Sequence, residues 1–286
     1  MGPGSAWSRR MSVEQQVTAH YGRPHLEEAI LEALRRSGKA DVEHLEPAEL
    51  AGADEFHLGW RPATVAFANA LAFPRGAHVL DIGAGIGGPA RHFAEAHGVH
   101  VTGIDLTEEY VATANGLTHR CGLSDLVFFR QANAIDMPFA LSMFDGAYTV
   151  HAAMNIADKT ALFAETRRVL KPGARFGVYD IMQVAPGDLP YPMPWAATLE
   201  SSFVETPETY KALLQAAGFA IESETDRGDM ARELGRQMSD RVARDGPPPL
   251  GLHTLMGPAT PERLGNVMKT LQARIIAPIE IVARAV

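Results

Sequence analysis

Cysteine is nearly missing from this 286-residue sequence: Cys121 stands alone, so the chain can form no internal disulfide and cannot build a thiolate metal site. Positive charge is also scarce. The 26 Lys and Arg are outnumbered by 34 Asp and Glu, the net charge is −8, and no basic run exceeds an arginine pair. An acidic chain without a basic stripe is a poor partner for nucleic acid or an anionic membrane. No stretch approaches the ~18 consecutive apolar residues of a membrane span, so no membrane insertion is expected. With 46% apolar residues the chain carries enough material for a large core and is not broadly disordered. These absences describe a cytoplasmic globular protein, built as one domain with an insertion or as two small ones.

The first ten residues, Met1–Arg10, are rich in Gly and Ser, lack the apolar core of a signal peptide and precede a second methionine, Met11. They read as an added expression leader, without which the charge is −10. From Ser12 to Ala53 the pattern is helical, with Leu26, Ile30 and Leu34 at four-residue spacing and a stop at Gly38. A further helix is expected from Pro62 to Leu71, ended by Pro74-Arg75-Gly76. The register then changes. Residues 78–82, 99–104, 126–130, 144–150, 175–180 and 219–224 read as strands, and 88–97, 107–120, 158–170 and 207–217 as helices, with a final apolar run at 275–285. Strands alternating with helices of this length mean βαβ units, an α/β class and a parallel sheet. A proline-rich loop is expected at 183–206. In the stretch 226–274, Met230, Leu234, Met238 and Val242 line one helix and Leu264, Val267, Met268 and Leu271 another, read as core packing.

The sharpest feature is His78-Val79-Leu80-Asp81-Ile82-Gly83-Ala84-Gly85-Ile86-Gly87-Gly88, a strand, a glycine turn and a helix start. Glycines let a ligand approach the main chain, and the helix offers free N–H groups to it. Gly83, Gly85 and Gly88 satisfy the dinucleotide pattern G-x-G-x-x-G, so a nicotinamide- or flavin-dependent oxidoreductase is a distant alternative. Asp105, at the end of the second strand, suits a ribose diol in either case. Asp81 discriminates, because a carboxylate there sits poorly beside a pyrophosphate and well beside a cationic ligand.

Val79–Gly87 resembles the D-x-G-x-G-x-G signature of class I S-adenosylmethionine-dependent methyltransferases. Gly103-Ile104-Asp105-Leu106, Ala132–Phe139 and Arg168–Gly173 are similar to three further motifs of that family, in the same order. The resemblance implies a Rossmann-like seven-stranded sheet with helices on both faces and a reversed last strand forming a hairpin-like pair with the sixth. It implies S-adenosylmethionine as cofactor, leaving as S-adenosylhomocysteine, and four regions: a helical cap at 11–75, a core at 76–225, an insertion at 226–274 and a final core strand at 275–286. Asp81, Gly83, Gly85 and Gly87 would hold the methionine end, Asp105 and Leu106 the ribose, Asn133 and Ala134 the adenine, with Val150 and Tyr21 beside them. Asn133 departs from the usual Asp, but its carbonyl still accepts from the exocyclic amine. Ala19–Gly22 and Phe56–Trp60 look like the ubiquinone/menaquinone, sarcosine/dimethylglycine and phosphoethanolamine methyltransferase group. One cysteine excludes arsenite-type methylation.

Methyl transfer needs an aligned nucleophile and, for a hydroxyl or enol carbon, a base. His151, at the end of the fourth strand, is the base candidate or else a structural histidine. Asn155 falls where phosphoethanolamine enzymes place a histidine, and is expected to orient the substrate. His57 is a second base candidate. Trp60, Tyr191 and Trp195 are candidates for an aromatic substrate wall. No metal site is expected. N-methylation of a small amine or N-heterocycle is the first expectation, and O- or C-methylation of a phenol, quinol or other natural product by His151 the runner-up. A small-molecule acceptor without phosphate, no nucleic acid, and a homodimer face on the methionine-rich cap complete the partners.

Overall fold

Alternating short apolar runs and amphipathic segments give one mixed sheet in the computed structural model. The structure describes residues 21–22 and 25–286; the expected leader and the helical reading of 12–20 lie outside the described residues. Strands β1 (His78–Ile82), β2 (His100–Asp105), β3 (Val127–Gln131), β4 (Phe144–Val150), β5 (Leu170–Gln183), β6 (Phe219–Asp226) and β7 (Ile276–Ala285) hydrogen-bond in the order β3-β2-β1-β4-β5-β7-β6. The first five run parallel. β7 runs antiparallel to β5 and β6 and sits between them, so it is bonded on both edges rather than to β6 alone.

Helices cover both faces, which is why β1 reads as an almost continuous apolar run. On one side, α6 (Lys159–Val169) and α7 (Pro207–Ala216) close over Leu80, Ile82, Phe144, Phe176 and Val178, burying their own Leu162, Phe163, Tyr210 and Leu214. On the other, α3 (Trp60–Leu71) and α4 (Gly88–His97) bury Phe67, Leu71 and Phe93 against Val79, Tyr148 and Tyr179. Phe93 stacks on Tyr148 at 4.3 Å, and Phe67 meets both rings edge-on. Burying each such side chain is worth ~1.5–3 kcal/mol. This aromatic triad anchors α4, whose first turn carries the glycine loop.

Three expectations change. The helical stretch expected to Ala53 is two helices, α1 (Leu26–Arg36) and α2 (Pro47–Asp54), with Pro47 in the first turn of the second and a capping box between Glu46 and Glu49. The helix expected from Pro62 starts at Trp60, after Gly59 in a left-handed conformation. β5 is longer than 175–180 because Leu170 pairs with Phe144 of β4 at one end and β7 pairs with it as far as Gln183 at the other. Between β2 and β3 lies α5 (Glu108–Arg120), and between β6 and β7 lie α8 (Gly228–Asp245), α9 (His253–Met256) and α10 (Thr260–Gln272). In α8 the buried residues are Gly228, Ala231 and Gly235, while Met230, Leu234 and Met238 are half-buried and Val242 is exposed. The methionine stripe therefore flanks the contact instead of filling it. α10 keeps its expected face, burying Val267 and Leu271. Among the described residues no helix is long and apolar enough to cross a membrane.

Candidate active site

Beyond the carboxyl ends of β1 and β4, neighbours in the sheet, the connections lead to opposite sides, the place where open α/β sheets bind ligands. A cavity of about 310 Å³ opens there. Its inner wall is the glycine loop. Gly85 adopts φ +55°, and the space its missing Cβ would occupy is open for 4 Å, facing the cavity. The Gly85 N–H donates to Asp105 Oδ2 at 2.9 Å, and the Thr107 N–H donates to Oδ1 at 2.9 Å. Asp105 therefore ties the ends of β1 and β2 together while burial raises its carboxyl. Asp81, at the end of β1, is buried and accepts the Tyr148 hydroxyl at 3.0 Å. Burial pushes its carboxyl up to about 8, against the opposing pull of that hydrogen bond.

The expected cofactor residues Gly83, Leu106, Asn133, Ala134, Val150 and Tyr21 also line the cavity. Asn133 does more than the motif implied: its Oδ1 accepts the Ile135 N–H at 3.1 Å and closes a local turn, leaving a second lone pair for a ligand. Gly87 is a correction. It is not in the cavity wall; a Cβ there would lie 2.4 Å from the Phe129 ring and 2.9 Å from the Arg91 guanidinium, so this glycine serves packing behind the loop. Arg91, fully buried, pairs with Asp54 at 2.8 Å and donates to the Ile86 carbonyl at 2.7 Å and the Thr118 hydroxyl at 3.0 Å. Sequence reading missed this brace, because an arginine in a helix pattern reads as a solvated residue.

The opposite wall comes from distant segments. Tyr21 packs near Phe56 and Tyr110, and its hydroxyl donates to Asn155 Oδ1 at 3.4 Å, so the two expected residues meet across the cavity. Trp60 and Trp195 line it; the Trp195 indole N–H donates to Ser202 Oγ at 2.9 Å. Tyr191 does not line it and packs instead against the buried cluster around Met193 and Ile276, which corrects its role as a substrate wall. Leu252, Leu255, Leu264 and Val267 of the 226–274 stretch complete the wall. Periodicity could not tell these from ordinary core.

His151 stands at the junction of the two walls with φ +49°, a left-handed backbone rare outside glycine. Its N–H donates to the Tyr179 carbonyl at 2.7 Å and its ring stacks on Tyr179 at 5.3 Å. Nε2 is buried and has no hydrogen-bond partner. Burial, with His57 beside it, pushes the imidazole well below the usual histidine range, so it stands neutral at working pH. His57 is buried too, and its Nε2 lies 2.8 Å from Glu55 Oε2. Among the described residues no lysine or arginine lines the cavity, whereas Asp54, Asp81, Asp105 and Asp158 do. No group of three His, Cys, Asp or Glu among them is arranged to hold a metal ion.

This geometry agrees with the comparisons. The family described as methyltransferase domain matches residues 80–178. An O-methyltransferase of Aspergillus nomiae is 32% identical over 164 residues, 56% of this chain and 71% of that protein. A sterol 24-C-methyltransferase of Gibberella zeae is 40% identical over 113 residues, 40% of this chain; the match spans only 30% of the sterol protein's length. In fold, the chain matches the structure of Haemonchus contortus phosphoethanolamine N-methyltransferase 2 in complex with S-adenosyl-L-methionine, with TM-score 0.72 at 19% identity over 97% of this chain and 60% of that one. The motifs, the sheet order and the relative that this chain covers by more than two thirds lead to one assignment: the chain belongs to the class I S-adenosylmethionine-dependent methyltransferase family.

Proposed function

We propose that this chain transfers a methyl group from S-adenosylmethionine to a hydroxyl oxygen of a small, uncharged, largely apolar acceptor, with His151 as the base. The observation that carries the reading is the His151 imidazole, buried, neutral and with Nε2 unengaged, at the edge of a cavity that no lysine or arginine among the described residues lines. The cavity suits the cofactor: a bound cation would favour the ionised form of the Asp81 and Asp105 carboxyls, which stand raised in the free protein, and Gly85 leaves open space where a ligand needs to approach the main chain. When bound, the cofactor supplies an electrophilic methyl whose bond to sulfur breaks with the electron pair going to sulfur. Asp81 and the glycine loop would hold its methionine end, Asp105 its ribose, and Asn133 with the Ala134 N–H its adenine. Asn155 and Tyr21 orient the acceptor oxygen from the far side. As that oxygen forms its new bond, His151 takes the hydroxyl proton and becomes an imidazolium.

The apolar wall of Trp60, Met154, Trp195, Leu255, Leu264 and Val267 excludes water and selects an uncharged acceptor. In this reading the described residues up to 75, together with 226–274, act as a cap over the core at 76–225 and 275–286. An O-methyltransferase and a sterol C-methyltransferase among the relatives support an oxygen or carbon acceptor, the runner-up of the sequence expectations. An amine acceptor, the first expectation, is the second reading, and it rests on the four carboxyls of a cavity that no lysine or arginine among the described residues lines. A methyl-transfer screen over neutral phenols, alcohols, quinols, amines and their phosphorylated counterparts decides. Turnover of neutral hydroxyl compounds is expected; turnover confined to amines, or to phosphates, overturns the reading.

A further inference from the structure

Beside His151 lies a second buried cluster, in which His57 lines the cavity while Glu55 and Thr64 stand behind it. Glu55 is fully buried between α2 and α3. Its Oε2 accepts the Thr64 hydroxyl at 2.5 Å and the His57 Nε2–H at 2.8 Å. The one hydroxyl hydrogen of Thr64 is thereby committed, so Thr64 Oγ1, 3.0 Å from His57 Nε2, presents only lone pairs to the imidazole. The other ring nitrogen, Nδ1, lies 3.4 Å from the Leu58 carbonyl, which the Tyr179 hydroxyl fixes in place at 2.6 Å. Both nitrogens of His57 thus face oxygen acceptors, the environment of a doubly protonated ring beside a carboxylate.

The surroundings fit that charge pair. Arg61 Nη1 lies 3.5 Å from the second Glu55 oxygen and its Nη2 lies 3.6 Å from Glu95, so the arginine is shared between two acids. His92 of α4, beside Arg61, is held down to about 4 by burial and by Arg61, so it brings no competing charge. From the sheet, Tyr148 with Asp81 and Tyr179 face the cluster. Burial raises both phenols and the Asp81 carboxyl, which leaves them neutral at pH 7. The His57 ring meets His151 edge-on at 5.6 Å.

We propose that Glu55 and His57 are positioning residues for His151: a buried carboxylate–imidazolium pair whose ring stands edge-on to His151 and keeps it in its proton-accepting form. The inference rests on the reading of His151 as the base. It gives the E-x-H spacing at 55–57 a function apart from cap packing, and it makes His57 an accessory to the base, not a second base.

Imidazole NMR on the full chain, labelled with ¹⁵N and ¹³C and followed from pH 5 to 9, tests it without any acceptor. His57→Gln and His151→Gln assign the signals. The unsubstituted chain is expected to show His57 as imidazolium at pH 6 beside a neutral His151. Glu55→Gln is expected to neutralise His57 and to raise the His151 midpoint by about half a pH unit or more. The acid limb of kcat/KM for the best acceptor should move upward with it, a shift that a merely structural role does not produce. A neutral His57 at pH 6 in the unsubstituted chain overturns the proposal, and that measurement stands even where Glu55→Gln fails to fold. An unmoved His151 midpoint in a folded Glu55→Gln chain overturns it as well. Undiminished methyl transfer by His151→Ala overturns the base assignment instead, and leaves the charge state of His57 as a separate result.

Discussion

The two walls of the cavity are built on opposite principles. The glycine-loop wall is local in sequence and braced by backbone: Asp105 accepts N–H groups from Gly85 and Thr107, and Arg91 clamps the Ile86 carbonyl to Asp54. The opposite wall, which the proposed function gives to the acceptor, joins side chains from Tyr21, Trp60, Trp195, Leu255 and Val267, which are far apart in the chain and linked mainly by apolar contact. A wall held by buried polar groups tolerates almost no change, because each loss leaves a partner unsatisfied. A wall held by apolar contact can be reshaped one residue at a time. One wall should therefore govern stability and cofactor affinity, and the other acceptor choice.

The largest effect that tests this contrast is on the brace. Arg91→Leu strands the Asp54 carboxyl and is expected to cost about 3–5 kcal/mol of unfolding free energy, read by denaturant titration. A loss under about 1 kcal/mol means that the brace does not hold the wall. Next comes the junction. His151→Ala should lower kcat by ~10²–10⁴ while cofactor affinity changes little; a loss under about tenfold sinks general-base catalysis. On the glycine-loop side, Asp105→Ala should weaken cofactor binding by roughly 10–100-fold in calorimetry, the worth of a hydrogen bond to a charged group or two.

A pH experiment sharpens the same wall. Asp81 in the free protein is raised to about 8, against about 3.9 in an unfolded chain. Between those values the folded chain keeps a proton that the unfolded chain has released. The resulting stability is complete below about pH 4 and is lost as pH rises through 8. Asp81→Asn does not titrate, so its stability relative to the parent should improve from pH 5 to about 8 and then level off; a constant difference refutes the assignment. The smallest effect belongs to the acceptor wall. Val267→Ala should raise the acceptor KM several-fold with cofactor affinity unchanged, and an equal loss of cofactor affinity breaks the contrast.

Legibility in the sequence follows the same division. β1 and β4 were readable to the residue, since each is an apolar run between turn signals, and the seven strands with a reversed last one came with the motif resemblance, though not its place between β5 and β6. Asp81, Gly83, Gly85 and Asp105 could be named because short spacings fix their geometry. Gly87 and Tyr191 show the limit. Each sits in the expected segment, but its direction is set by a distant neighbour, Phe129 for the one and the Met193 cluster for the other. Glu55 and Arg91 escaped for a related reason: a charged residue in a helix or loop looks solvated until its partner, far along the chain, is known. Leu264 and Val267 looked like core because packing a core and lining an apolar pocket demand the same side chains.

β7 carries a consequence for how the molecule assembles. It lies between β5 and β6 yet follows both in the chain, after the long stretch of α8 to α10. Until it arrives, β5 and β6 each present an unpaired inner edge, and both Phe176 and Phe219 lack part of their cover. Closure waits on contacts distant in sequence, which makes it slow and leaves a partly folded species prone to stick to its own kind. A ribosome that pauses before residue 276, or a temperature that frays β7, would therefore show up first as aggregation, with the glycine-loop wall still formed.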